Sequence, residues 1–134
     1  MLKKKITYVD YDGNERIEDH YFNLNKAELT KMRLSYAGGL EKTLEKIAAE
    51  QDTKRMYEHF EDLILRSYGQ KSLDGKQFIK SPELSLAFQQ TEAYSELVIE
   101  LLSDADAAAA FVNSITSINQ QPIPKIAAVP SSTI

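Results

Sequence analysis

A chain of 134 residues without a cysteine has no thiolate nucleophile or metal ligand, and its candidates for chemistry are carboxylates, imidazoles and hydroxyls. Glu92, Glu96 and Glu100 follow one another at i, i+4, which puts them on one side of a helix, where paired carboxylates can serve as general acid and base. The same spacing is far commoner on the solvated face of an amphipathic helix. His20 and His59 fall on different expected elements, and zinc asks for three or four converging ligands, so two scattered imidazoles make no metal site. Ser67, Ser72, Ser81 and Ser103 lack the Gly-x-Ser-x-Gly setting of an activated nucleophile, and Ser81 reads better as a helix cap.

Asp10, Asp12 and Asn14 alternate like the opening of a calcium loop. Gly13 then falls fourth instead of sixth, and Tyr21 stands where a bidentate Glu is needed, so a hairpin turn fits better. Gly38-Gly39 is followed by Leu40-Glu41-Lys42, without the Gly-Lys-Ser/Thr ending of a phosphate loop. Neither a cofactor nor a metal is expected, and no catalytic residue is assigned.

The elements that would position these groups follow from periodicity and caps. Runs at 6–11 and 16–24 flank Asp12-Gly13-Asn14 and predict an N-terminal β-hairpin over 1–24. Asn25 and Glu28 form a capping box, with Leu24 and Leu29 as its staple, and open a first helix to about Ser35. Ala37-Gly38-Gly39 predicts a break. A second helix carries Leu40, Leu44 and Ile47. A third, capped by Asp52 or Thr53, carries Met56, Phe60, Leu63 and Ile64 and ends at Gly69.

Residues 70–81 read as a loop turning at Asp74-Gly75 and anchored by Phe78 and Ile79. Ser81-Pro82 starts a fourth helix, re-nucleated at Thr91, with Tyr94, Leu97, Val98 and Leu101 at i, i+3, i+4 and i+7. Ser103 or Asp104 caps a fifth, through Ala107–Ala110 into Phe111, Val112 and Ile115, where small alanines allow close helix approach. Pro122, Pro124 and Pro130 forbid regular helix beyond Asn119. The expected fold class is therefore α+β: one domain over 1–118, with the hairpin at 1–24 and about five helices over 25–118. A flexible tail over 119–134 carries the apolar points Ile123, Ile126 and Val129.

Composition narrows the functional classes. The net charge is −4, and residues 81–134 hold one basic and six acidic groups. Nucleic acid attracts clustered Lys and Arg, so this balance argues against it as a partner. No run nears the ~20 apolar residues that span a bilayer, and the opening Met-Leu-Lys-Lys-Lys leads into a strand pattern and not into a signal-peptide core, so no membrane association is expected. Lys3-Lys4-Lys5 reads as an edge guard of that strand or a terminal solubiliser. Twelve aromatics, seven of them tyrosine, are more than a small core must hide entirely; core use explains most of them, and tyrosine is also favoured at protein-binding surfaces.

Four passages carry a resemblance: Ile6–Glu15, Tyr21–Leu29, Leu65–Gly69, and Gln90–Leu97 leading to Asp104–Phe111. Over about residues 4–116 the chain resembles the tail assembly chaperones encoded by siphophages and prophages of Gram-positive hosts. The resemblance implies a non-enzymatic protein of the infected host's cytoplasm. Such a protein coats the helical tape measure protein, brings tail tube protein to it and is absent from the mature virion. In related phages a programmed frameshift adds a C-terminal extension, and the short Pro-bearing tail here is compatible with the unshifted product.

A tape measure helix exposes apolar surface that a chaperone's amphipathic helices can cover. Tyr94, Leu97, Val98 and Leu101 are the expected contact residues, against the bland reading that their stripe is core. Heterologous contacts would give a homo-oligomer along the tape measure. Two other classes share this composition. One is a small phage-encoded or bacterial regulatory or inhibitory module. The other is an enzyme using Glu, Tyr and His, which requires His20 or His59 to converge with carboxylates in one pocket.

Overall fold

The computed structural model describes residues 1–35 and 40–116. Its first turn is built by Asp10, whose carboxylate accepts the backbone N–H of Asp12 and of Asn14, each at 2.9 Å, while Gly13 supplies φ +85°. Around it β1 (Leu2–Val9) and β2 (Glu15–Phe22) pair antiparallel, Ile6 opposite Glu18 and Leu2 opposite Phe22. The strand period of two sorts the side chains. Leu2, Ile6, Tyr8, His20 and Phe22 face the helices, and Lys3, Lys5, Thr7 and Val9 face solvent.

The capping box forms as its spacing requires: Glu28 N–H donates to Asn25 Oδ1 at 2.8 Å, and Asn25 N–H donates to Glu28 Oε1 at 2.9 Å. It opens α1 (Lys26–Ser35), with Leu24 and Leu29 both buried at the staple positions. The predicted break at Ala37-Gly38-Gly39 lies outside the described residues, as does the tail over 119–134. Helix α2 (Leu40–Ala49) is followed by α3 (Thr53–Ser67), capped by Asp52, which accepts Arg55 N–H at 3.1 Å. The buried hydroxyl of Ser67 is satisfied by Leu63 O at 2.6 Å.

Gly69 does not end α3 as a helix cap. The helix stops at Ser67, and Gly69 lies inside a third strand, β3 (Tyr68–Lys71), which pairs antiparallel with β2 and with β4 (Phe78–Ile79). The sheet order is β1-β2-β3-β4, so the segment expected as a loop is a short hairpin. Glycine is required by close approach: a Cβ at Gly69 would lie 2.7 Å from both Ile79 O and the Phe78 ring. Gly75, with φ +76°, turns the hairpin, and Phe78 is half-buried while Ile79 is 44% exposed, so only the former docks inward.

Ser81 caps α4 (Pro82–Gln89) through Leu84 N–H at 3.1 Å, with Pro82 in the first turn. Thr91 then caps a separate helix, α5 (Glu92–Ser103), by accepting Tyr94 N–H at 3.3 Å. The described chain therefore has six helices, because the re-nucleation at Thr91 divides the expected fourth one. Asp104 accepts the N–H groups of Asp106 and Ala107 at the start of α6 (Ala105–Thr116). Helix α5 packs along β1 and against α3, α4 and α6. Phe22, Phe88 and Phe111 meet at 5.4 to 5.7 Å between ring centroids, and Tyr68 stacks on Phe88 at 4.4 Å, locking sheet to helices.

Candidate interaction surface

Several of the polar residues that could do chemistry make contacts that hold the fold. Asp10 binds Arg16 Nε at 2.6 Å besides its two turn amides, and the guanidinium, then those amides, hold its carboxyl below the ordinary range. Along α5, Glu100 pairs with Lys4 at 3.0 Å, Glu92 lies 3.4 Å from the Tyr11 hydroxyl, and Glu96 is exposed. Lys3 and Lys5 flank Asp19 on the neighbouring strand at 4.0 and 3.4 Å. His20 faces the Phe88 ring at 5.2 Å, and its Nδ1 is buried without a hydrogen-bond partner. His59 lies on α3. Among the described residues no group of three His, Asp or Glu is placed to hold a metal, and no helix is long and apolar enough to cross a membrane.

The residues expected to meet a partner are placed in the core. Tyr94 is 6% exposed, Leu97 1%, Val98 4% and Leu101 2%. Burying each stabilises the fold by about 1.5–3 kcal/mol, so in this conformation the stripe is the seam between α5, α3 and the sheet. Burial, and then the hydrogen bond to Glu61, push the Tyr94 hydroxyl pKa up.

One member of that stripe reaches a surface. Leu101, with Phe60 and Val112, floors a groove of about 420 Å³ between α2–α3 and α5–α6. Leu44 and Ala48 of α2 and Met56 of α3 form one wall, and Leu102, Ala105, Ala108 and Ala109 form the other. The opening has a sequence cause. Ala105, Ala108, Ala109 and Val112 recur at i, i+3, i+4 and i+7, so α6 turns its smallest side chains toward α2 and leaves the space between them unfilled. Glu45 and Asn113 are the polar groups of the lining.

Leu102 is 37% exposed and Ile99, one turn earlier, 60% exposed, which continues apolar surface beyond the groove. A smaller hollow of about 200 Å³ between β1, α5 and α6 is bridged by the Lys4–Glu100 pair. Sequence reasoning noted that the alanines permit close approach but did not identify the groove. The available signal was the repeat of small residues Ala105, Ala108 and Ala109 on the face of α6 that carries the buried Val112.

No curated protein and no solved structure matches the chain. A family model described as phage tail assembly chaperone matches residues 1–120, nine-tenths of the sequence and both halves of the fold that enclose the groove. The chain thus belongs to the phage tail assembly chaperones.

Proposed function

We propose that this chaperone is a non-catalytic cover for apolar helical segments of the tape measure protein in the host cytoplasm, that it brings tail tube protein to them, and that it departs before the virion is complete. The observation that carries this reading is the groove between α2–α3 and α5–α6, whose apolar lining and open top suit an amphipathic helix laid along it. The contact face is the groove with Leu101 in its floor and Leu102 on its rim. Tyr94, Leu97 and Val98 are buried in the core on the same helix as Leu101 and Leu102. Met56 suits such a role, because its unbranched thioether adapts to successive side chains along a repetitive partner. Ile99 and Leu102 provide apolar surface for a neighbouring copy, so that chaperones stack along the tape measure as a homo-oligomer.

Co-expression tests the proposal. Tape measure protein of the same phage, insoluble when made alone, is expected in the soluble fraction in complex with this chain. Tape measure protein that stays insoluble or unassociated overturns the reading.

A further inference from the structure

Leu73 stands in the turn between β3 and β4 and is fully exposed, so it stabilises no core. The turn that carries it is held by its own hydrogen bonds. Ser72 N–H donates to Gln77 O at 2.8 Å and Gly75 N–H to Ser72 O at 3.0 Å, while the Asp74 carboxylate accepts the Ser72 hydroxyl at 2.7 Å and Lys76 N–H at 3.0 Å. A leucine presented on an ordered turn gives up little freedom when it is covered. Lys71 and Lys76, on either side, are exposed and make no ion pair among the described residues. Helix α5 offers the complement. Ile99 and Leu102 are exposed at a spacing of three, and Glu96, one turn before Ile99, is exposed and without an ion pair among the described residues. From Ser81 to Thr116 the chain has six acidic residues and no Lys or Arg.

We infer that Leu73 of one copy seats on the Ile99–Leu102 patch of the next, with Lys71 and Lys76 beside the acidic face that Glu96 opens. The inference rests on the reading that copies neighbour one another at Ile99 and Leu102, and it names the surface that meets them. Leu73 and the patch are both open to solvent within one chain, so the contact is between chains. Charge decides the pairing. Two such patches set face to face would bring acidic α5 against acidic α5, whereas the lysine-flanked leucine brings opposite charges together. Because the two surfaces differ, a copy that donates its Leu73 leaves its own patch free for another, and copies add head to tail into a row or ring. A contact centred on one leucine buries less than the ~1,200 Å² of a stable complex. Free copies therefore exchange quickly, and the row is completed where one long partner holds them side by side.

Two full-length variants divide the contact. Leu73→Asp removes the knob and keeps the patch, and Ile99→Asp does the reverse; both positions are exposed, so both chains should keep the wild-type fold. Isotope-labelled Ile99→Asp chain is mixed with unlabelled Leu73→Asp chain at millimolar concentration, and the amide signals are followed by NMR. The expected result is saturable shifts confined to residues 71–77 and, with the labels exchanged, to the exposed face around Glu96, Ile99 and Leu102. Both should fade as salt is raised, because the contact is partly ionic. An unlabelled chain carrying both substitutions should cause none. Absence of shifts in the mixture overturns the proposal, including the case in which wild-type chain associates while the mixture is silent, since copies then meet face to face. Shifts that persist with the double variant also overturn it, because another surface then receives the turn. The mixture holds no tape measure protein, so a silent result is distinguishable from failure of the groove to bind one in co-expression.

Discussion

The hydroxyl of Tyr94 donates to Glu61 Oε2 at 3.0 Å, tying α5 to α3, two of the helices that line the apolar groove. Gln89 Nε2 donates to the same oxygen at 3.3 Å, so one carboxylate joins α3 to both α4 and α5. The junction thus fixes α5 against α3, the two helices that supply Leu101 and Phe60 to the groove's floor.

Removing the hydroxyl separates the hydrogen bond from the ring. Tyr94→Phe is expected to cost about 1 kcal/mol, whereas Leu97→Ala, which empties a fully enclosed site, should cost roughly 2–5 kcal/mol. Urea unfolding midpoints measure both. A Leu97→Ala midpoint equal to wild type would place Leu97 outside the core.

Acid should weaken the fold through His20. Burial among Phe88 and Tyr68 pushes its pKa below the ordinary value, and the attraction of Glu18, 4.0 Å away, only partly opposes this. The unfolded chain then takes up the proton more readily, near pH ~6.5. The contribution of neutral His20 is complete above that pH and is lost as pH falls toward the lowered folded value. The urea midpoint should decline across this window, and His20→Phe should flatten the decline. An unchanged slope in the variant would rule His20 out as its source.

At Gly69 the obstacle is a neighbouring strand. Gly69→Ala drives a methyl group against Ile79 O and the Phe78 ring and should cost about 1–3 kcal/mol. The same change at the exposed Gly13 acts differently, through its positive φ. A thermal melt of Gly69→Ala matching wild type would contradict the β3–β4 pairing.

At the start of α1, Asn25→Ala should lose about 1 kcal/mol with the cap. Lys80 bonds Glu28 at 2.8 Å and Asn23 O at 2.7 Å, but its partner carboxylate is 36% exposed, so Lys80→Met should lose less than about 1 kcal/mol. Equilibrium unfolding of the two variants ranks them, and the reverse order would mean that the ion pair, not the cap, secures this helix.

What the sequence revealed was local. Asn25 with Glu28, Asp52, Ser81 with Pro82, and Thr91 each act within one turn of the chain, and each caps the helix its spacing indicated. The β3–β4 hairpin was hidden because its reason is non-local: Gly69 reads as a helix stop until Phe78 and Ile79 arrive beside it. The stripe of Tyr94, Leu97, Val98 and Leu101 was legible as apolar, but a partner-facing helix and a core helix share one periodicity, and only the packing of α3 and β1 decides between them. The groove was illegible for the same reason, since a face of alanines marks either close packing or unfilled space.

Binding of a helical tape measure segment to wild-type chain and to Leu102→Glu/Ala109→Glu tests the central claim most directly, because both substituted residues are exposed in the groove wall and neither supports the core. The account predicts an affinity loss of at least tenfold, about 1.4 kcal/mol, with the urea midpoint unchanged. Equal affinity for wild type and variant would contradict it.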